Sequence, residues 1–433
     1  MGHSIAALDA LEILDSRGNP TLQVRAALSD GLHAIASVPS GASTSQYEAH
    51  ELRDGDARRY AGSGVRRAID NVAQIIRPAL MGRDPTAQAE IDRLMIELDG
   101  TPNKSKLGAN AILGASMAVA RLAAKAHGLP LYRYLGGAEA NRLPVPLMNV
   151  INGGKHAANK LEFQEFMIVP HGAPTFSEAV RWAAETFHVL KAILVREGYS
   201  ASVGDEGGFA PELKDNEEAC QIIVLAIAEA GYAPGKDISI ALDPAATSFF
   251  EGEHYKIPSW DKTPRTDDDL QGLYERWVNR YPIVLIEDGF AETAWPAFQK
   301  QTANIGKRVT IVGDDIYSTN PQIIRRGVAE QTTNAALIKL NQIGTVTETI
   351  EAIELCRAAG WRYVISHRSG ETTDSFIADF AVAMDGGLLK AGSLSRGERV
   401  VKYNRLMEIE HELGAAARFV DVFAGRSEAA PRA

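Results

Sequence analysis

Polar and charged residues recur at one position in the second half of this chain, where each short apolar run ends. They are Asp243 in IALDPA, Glu287 in VLIEDG, Asp314 in IVGDDI, Lys339 in LIKLNQ, His367, Arg368 and Ser369 in ISHRSG, and Lys390 in LLKAG. A single residue of this kind is an ordinary strand end that reaches solvent along its aliphatic stem. Six runs that end this way predict one shared polar site, because burying each charge separately would cost free energy.

Three of these residues are carboxylates, Asp243, Glu287 and Asp314. In a shared site they would repel one another unless a cation lay among them. Ligation by oxygen alone, without histidine or thiolate, favours Mg²⁺ over zinc or copper. Any one of them could instead be a helix cap or a salt-bridge partner. Together they predict a divalent metal site.

Lys339 and Lys390 add two amines to the same position of the repeat. Beside a metal and a second lysine the charged form is disfavoured, so one amine could be neutral and act as a base. A metal that binds a substrate carboxylate would stabilise the anion formed when an α-proton leaves. Arg368 and Ser369 have the donors that phosphate ligands need.

Two further loops are acidic, and they contain Glu206 in VGDEGGFAP and Glu165 in LEFQEFM. A glutamate in such a loop could protonate a departing hydroxyl group. With a base, a metal and a phosphate site, the predicted chemistry is β-elimination of water from a phosphorylated hydroxy acid.

The elements that must position these residues follow a regular rhythm. From about residue 141, short apolar strands alternate with amphipathic helices such as FSEAVRWAAETFHVLKAILVREG. About eight such strands predict an α/β fold, a (β/α)8 TIM-like barrel, whose active site lies where the strands end. A β-meander from residue 5 to 38, followed by helices, predicts an α+β capping domain over residues 1–140, with the barrel domain over 141–433.

Composition narrows the class of protein. A chain of 433 residues with 45% hydrophobic residues suits one large barrel and a smaller unit. The formal charge of −10 argues against a nucleic-acid partner. No apolar run approaches the roughly 18 residues that cross a bilayer, so no membrane partner and a cytoplasmic location are predicted. The apolar neighbours of Cys220 and Cys356 predict buried, reduced thiols.

Ordered segments along essentially the full chain resemble the enolase (phosphopyruvate hydratase) family. They are DSRGNPT, VPSGAST, ELRDGD, NKSKLGANAILGAS, VGDEGG, IEDG, VGDD, IKLNQIG, SHRSGET and KYNRL. The resemblance implies Mg²⁺-dependent dehydration of 2-phosphoglycerate to phosphoenolpyruvate, a hydro-lyase reaction of glycolysis. It also implies a barrel whose second strand is antiparallel, and assembly as a homodimer or homo-octamer.

Carried onto the matching positions, the resemblance implies a role for each site residue. Lys339 would be the base and Glu206 the acid, with Glu165 supporting Glu206 and His156 lying against the substrate. Asp243, Glu287 and Asp314 would bind the first Mg²⁺. The remaining binding residues would be Lys390 at the substrate carboxylate, Arg368 and Ser369 at the phosphate with His367 beside them, and Ser43, on a closing loop, at a second Mg²⁺.

The chain departs from the usual family text near the site. Lys155 adds a cation beside His156, and Ser45 follows GAST where a glycine is usual. One alternative is therefore the same elimination on a modified 2-phosphoglycerate, with Lys155 pairing with an extra carboxylate. Carboxyphosphonoenolpyruvate synthase, which takes a phosphonoformyl analogue in phosphonate antibiotic biosynthesis, is of that kind. Neutral drift explains the same changes.

A second alternative belongs to a different class, a catalytically idle enolase-like binding protein. Every position that the chemistry needs holds the required residue type, which argues against it. A protein without catalysis has no reason to retain a costly cluster of like charges.

Overall fold

An N-terminal α+β unit packs against a closed barrel of eight strands. The computed structural model describes residues 4–41 and 45–424. The strands, numbered along the chain, are β1 Ile5–Leu14, β2 Pro20–Leu28, β3 His33–Ser37, β4 Arg142–Leu143, β5 Val145–Asn152, β6 Glu165–Val169, β7 Ser239–Asp243, β8 Phe250–Glu251, β9 His254–Tyr255, β10 Ile283–Glu287, β11 Thr310–Gly313, β12 Ala335–Ile338, β13 Arg362–Ser366, β14 Leu388–Lys390 and β15 Arg418–Phe419.

The helices surround the barrel and complete the N-terminal unit. They are α1 Arg66–Asn71, α2 Arg77–Leu80, α3 Gln88–Asp99, α4 Ala109–Ala126, α5 Leu131–Gly136, α6 Phe176–Arg196, α7 Asn216–Glu229, α8 Asp267–Arg280, α9 Trp295–Ile305, α10 Pro321–Ala329, α11 Leu340–Ile343, α12 Val346–Ala358, α13 Phe376–Ala383 and α14 Gly397–Leu413. Cys220 in α7 and Cys356 in α12 are buried free thiols, as predicted. Within the described ranges, no helix combines the length and apolar character needed to cross a membrane.

The predicted meander is confirmed, because β1, β2 and β3 form one antiparallel sheet in that order. Helix α4, rich in alanine, is buried along nearly its whole length. Its small side chains allow a close approach to the sheet: a Cβ on Gly114 would lie 2.6 Å from a methyl group of Val24. A larger side chain at residue 114 would therefore push the helix off the sheet.

The barrel closes in the order β10, β11, β12, β13, β14, β5, β6, β7. Strand β6 is antiparallel to both neighbours, and the other barrel neighbours are parallel, as the resemblance implies. Because β6 is reversed, its first residue lies at the mouth where the other strands end. Glu165 is accordingly in register with Asp243, the last residue of β7.

Alternation along the strands explains why one mouth is polar. An apolar cluster includes one residue from each of six strands: Ala241, Leu285, Val312, Leu337, Val364 and Leu388. Two residues further along, where the same face is presented again, the chain carries Asp243, Glu287, Asp314, Lys339, Ser366 and Lys390. The polar side chains therefore point into the barrel mouth directly above its apolar core.

Candidate active site

A cavity opens at this mouth, and its walls hold most of the predicted site residues. They are His156, Gln164, Glu165, Glu206, Asp243, Lys339, Ser366, His367, Arg368, Ser369 and Lys390. The strand ends contribute part of this set. His156, on the short 3-10 turn Gly154–His156, and Glu206 come from loops.

The three predicted metal ligands end neighbouring strands, β7, β10 and β11, and all three are buried. Lys390 Nζ donates to Asp243 Oδ2 at 2.8 Å and to the two Glu287 oxygens at 3.0 and 2.9 Å. Asp314 Oδ2 accepts from Lys339 Nζ at 2.5 Å. The two ammonium groups thus supply the positive charge that the carboxylates require in this structure.

These ion pairs set the protonation of the two lysines. Burial lowers the pKa of Lys390, but the carboxylates of Asp243 and Glu165 raise it well above its usual value. Burial also lowers the pKa of Lys339, and Asp314 more than offsets this, so the net shift is upward. The contacts with the carboxylates favour the charged form of both amines, and the neutral amine expected beside a bound metal stays a prediction. The charged form is favoured because four carboxylates contact the two amines, three of them at Lys390 and Asp314 at Lys339.

The donor set fits a divalent cation. All three side chains offer oxygen alone, and one cation, the Lys390 ammonium, already lies within hydrogen-bond distance of two of them. Burial and the charge of Asp243 raise the pKa of Glu287 well above its usual value. A carboxylate so destabilised in its ionised form gains free energy from a bound cation.

Asp288, next to Glu287, is structural. Its oxygens accept from the backbone N–H groups of Asp314 at 2.9 Å and Asp315 at 2.8 Å. Asp288, Asp314 and Asp315 bring oxygens within 4.8 Å of one another. Through its two backbone contacts Asp288 fixes the end of β10 relative to the residues that follow β11.

Glu165, Glu206 and His156 form a buried cluster on the other side of the cavity. His156 Nδ1 lies 3.7 Å from Glu165 Oε1 and 3.7 Å from Glu206 Oε1. Burial and the charge of Glu206 raise the pKa of Glu165 well above its usual value. Burial acts the same way on Glu206, but His367 and His156 outweigh it and hold its pKa well below the usual range. The environments of the two glutamates therefore shift their pKa values in opposite directions.

The loop that places Glu206 requires a glycine after it. Gly207 has a φ of +88°, and a Cβ there would lie 2.6 Å from the carbonyl oxygen of Ser395. Only glycine adopts this conformation and leaves room for the neighbouring chain. Asn149, on β5, donates to Glu206 Oε2 at 3.3 Å and helps to hold the carboxylate in the cavity.

His367 connects the same cluster to a buried arginine. Its Nδ1 accepts from Arg399 Nη1 at 2.6 Å, and its Nε2 lies 3.4 Å from Glu206 Oε2. A guanidinium only donates, so the proton of neutral His367 is on Nε2, facing Glu206. Burial is the main cause that lowers the pKa of His367, to about 4.

This low pKa gives a prediction for stability against pH. Unfolded His367 binds its proton near pH 6.5, whereas the folded protein binds it near pH 4, so stability is lost as pH falls through that range. In the wild type, the free energy of unfolding should fall by on the order of 2 to 3 kcal/mol between pH 6.5 and 4.5 because of His367, and His367→Asn should abolish this decrease. Urea unfolding of both proteins at several pH values measures the difference. An equal dependence of the free energy of unfolding on pH in the two proteins would contradict the expectation.

Arg368, which the sequence predicts to bind phosphate, is paired with a carboxylate of the chain itself. Its guanidinium forms a two-pronged ion pair with Glu48, at 2.9 and 3.1 Å, and donates to Asn341 Oδ1 at 3.0 Å. A Cβ on Gly41 would overlap Arg368, 1.9 Å from Nη2, so a side chain there would displace the guanidinium from this position. A phosphate at Arg368 would have to compete with Glu48.

Lys155 lies apart from the other predicted residues. Lys155 is exposed, and it is not among the residues that line the cavity, although His156 beside it is. Ser43 lies outside the described residues. Ser45, which stands where a glycine is usual in the family, donates to the carbonyl oxygen of Asp315 at 2.9 Å. This contact attaches the base of the loop to the barrel.

Sequence reasoning missed three residues that hold the site: Glu48, Asn149 and Arg399. Asn149 had a visible signal, a polar side chain in the middle of the apolar strand VPLMNVIN. No pattern in the sequence indicated Glu48 or Arg399, because charged residues in a loop and near the start of a helix are normally solvated.

The comparisons with known proteins agree with this geometry. A family model described as "Enolase, N-terminal domain" matches residues 5–135, and one described as "Enolase, C-terminal TIM barrel domain" matches residues 140–430. The chain is 60% identical to "Enolase 1" of Methylococcus capsulatus over 96% of this chain and 99% of the relative. It is 59% identical to "Enolase" of Desulfotalea psychrophila over 97% of this chain and 100% of the relative. With two family models and two full-length relatives in agreement, this chain belongs to the enolase family.

Proposed function

We propose that this protein is a Mg²⁺-dependent hydro-lyase that dehydrates 2-phosphoglycerate to phosphoenolpyruvate. The observation that carries the proposal is the placement of Lys339 and the Glu165–Glu206 pair. Lys339 follows β12 and Glu165 begins β6, and these strands are four positions apart in a closed ring of eight. A base and an acid on opposite walls can remove a proton and release a hydroxide from opposite faces of one small substrate.

The chain supplies the acid and base groups directly. Lys339 takes the α-proton, for which it must first lose its own, and losing its ion pair with Asp314 removes the interaction that keeps it charged. Glu206 must first bind a proton, which it then gives to the departing hydroxyl group, and His156 Nδ1, 3.7 Å from both Glu206 and Glu165, lies between the two carboxyl groups. Lys390 binds the substrate carboxylate.

The remaining residues bind and orient. Arg368 and Ser369 bind the phosphate, and His367 directs its Nε2 proton towards Glu206. We propose that Asp243, Glu287 and Asp314 hold one Mg²⁺ and that Ser43 helps to hold a second. When bound, Mg²⁺ supplies positive charge that stabilises the negative charge developing on the substrate carboxylate.

The direct test is the ultraviolet absorbance of phosphoenolpyruvate, followed with purified protein, 2-phosphoglycerate and Mg²⁺. We expect turnover at the efficiency of an ordinary enolase. Folded protein that Mg²⁺ stabilises but that leaves 2-phosphoglycerate unchanged would overturn the proposal. The geometry does not favour the modified substrate, because Lys155, which motivated that alternative, is exposed and does not line the cavity.

Metal binding gives a separate prediction. Glu287→Gln removes one charge from the proposed ligand set, so we expect at least about a tenfold weaker affinity for Mg²⁺. The shift of the thermal midpoint with Mg²⁺ concentration measures this affinity without an activity assay. Glu351→Gln, on the exposed side of α12, is the matched control and should behave as the wild type. Equal Mg²⁺ titrations for both variants would exclude Glu287 as a ligand.

We further propose a cytoplasmic homo-oligomer, a dimer or an octamer, on the basis of the family resemblance. Analytical ultracentrifugation of the purified protein distinguishes a dimer from an octamer.

We also propose a domain boundary near residue 140, and the ends of the two matched regions, 135 and 140, support it.

A further inference from the structure

Arg399, near the start of α14, is fully buried, and its guanidinium contacts the loops of the proposed active site. We propose that Arg399 is a positioning residue for the dehydration. It fixes the loops that carry Glu206 and His367 relative to each other and holds His367 in the tautomer that donates to Glu206. The proposal deepens the proposed function and rests on it for the roles of these two residues.

One guanidinium joins two loops that are far apart in sequence. Arg399 Nη1 donates to the carbonyl oxygen of Arg368 at 2.6 Å, and Nη2 donates to those of Ser369 at 2.5 Å and Asp205 at 3.2 Å. The first two carbonyls belong to the loop after β13, and Asp205 immediately precedes Glu206. A planar group with fixed donor directions ties these segments together in one geometry, which a flexible ammonium reproduces only in part.

The same guanidinium selects the protonation site on His367. Nη1 also donates to His367 Nδ1 at 2.6 Å, so that ring nitrogen must carry a lone pair. Neutral His367 then carries its proton on Nε2, 3.4 Å from Glu206 Oε2. With the other tautomer, Nε2 would face the carboxylate with a lone pair and repel it.

The stem of Arg399 is held as firmly as its head. A Cβ on Gly392, which has a φ of +78°, would lie 2.7 Å from Arg399 Cδ, so the chain after β14 passes directly over the stem. This close contact leaves the side chain little rotational freedom. The guanidinium is therefore preorganised in the position where it meets both loops.

A second buried cation on α14 supports the same loop from another side. Lys402 Nζ donates to Glu371 Oε2 and to the carbonyl oxygen of Thr372, both at 2.8 Å. Glu371 Oε1 in turn accepts from the backbone N–H of Arg368 at 3.2 Å. Arg399 differs from Lys402 because its contacts reach His367 and the Glu206 loop. Replacing Arg399 should therefore affect the site differently from replacing Lys402.

The first test needs no substrate. Protein labelled with ¹⁵N-histidine reports the tautomer of His367, whose signals are assigned by their absence in His367→Asn. We expect a protonated Nε2 in the wild type and a mixture of tautomers in Arg399→Met. Arg405→Met is the matched control, since Arg405 lies on the same helix but pairs with Asp379 on α13. An unchanged tautomer in folded Arg399→Met would overturn the proposal.

The second test separates positioning from general damage. Arg399→Met should lower the dehydration rate at saturating substrate about 100-fold, the effect of a small misplacement of acid groups. Exchange of the substrate α-proton with solvent deuterium, which needs Lys339, should fall less than tenfold, and Arg399→Lys should partly restore dehydration. Equal loss of both rates would mean a purely structural role and overturn the proposal. If the wild type leaves 2-phosphoglycerate unchanged, the proposed function fails, and the tautomer measurement alone decides the role of Arg399.

Discussion

Replacing Lys339 by alanine is expected to lower kcat for 2-phosphoglycerate dehydration by about 10⁴-fold, the upper range for loss of a positioned base. The reason is that Lys339 is the amine on the wall opposite the glutamate pair, and it is held by an ion pair to Asp314 at 2.5 Å. Without the amine, the α-proton has no acceptor in that position. Exchange of that proton with solvent deuterium should disappear together with dehydration.

Lys307→Ala is the matched control for this experiment, because Lys307 is an exposed lysine after α9. Its activity should be that of the wild type. Circular dichroism of Lys339→Ala should show the wild-type fold, since the side chain lies at the edge of the cavity rather than in the apolar core. Proton exchange that persists in Lys339→Ala would assign the base to another residue.

Glu206→Gln is expected to lower kcat by about 10³-fold, while exchange of the α-proton stays within about tenfold of the wild type. Glutamine keeps the shape and the contact to Asn149 but has no proton to give to a departing hydroxyl group. Removal of the α-proton by Lys339, on the opposite wall, does not need Glu206. The two activities should therefore separate, in contrast to Lys339→Ala, in which both are lost.

The control for Glu206→Gln is Glu197→Gln, at an exposed residue after α6. It makes the same chemical change away from the cavity and should leave both activities unchanged. Loss of proton exchange in Glu206→Gln to the same degree as dehydration would show that Glu206 acts before the hydroxide leaves. Its assignment as the acid would then be wrong.

The fold could be predicted from the sequence because it follows from patterns among residues that are close together along the chain. Each barrel strand is an apolar run that a polar residue ends or directly follows, so the order of residues alone assigns Asp243, Glu287, Asp314, Lys339 and Lys390 to one mouth. The predicted eight strands, the meander and the buried thiols are confirmed. These features depend on side-chain alternation and burial, which the order of residues specifies directly.

The pairing of charges within the mouth is not accessible in the same way. The order of residues does not show that Lys390 lies among Glu165, Asp243 and Glu287, whose charges raise its pKa well above the usual value. Glu165 reaches this position because β6 runs opposite to its neighbours. The protonation of an amine depends on how many carboxylates lie within a few ångströms, and that number is set by strand direction and packing.

The sequence by itself predicted the kind of chemistry: three oxygen ligands for a metal, two amines, a pair of phosphate-binding residues and acidic loops at one end of a barrel. Only the tertiary structure decided how these groups are held. It joined Arg399 to His367 and Arg368 to Glu48, and it left Lys155 exposed outside the cavity. The physical reason is that residue type and local period fix which side of an element a group occupies. Distances between groups from separate loops arise only when the whole chain packs.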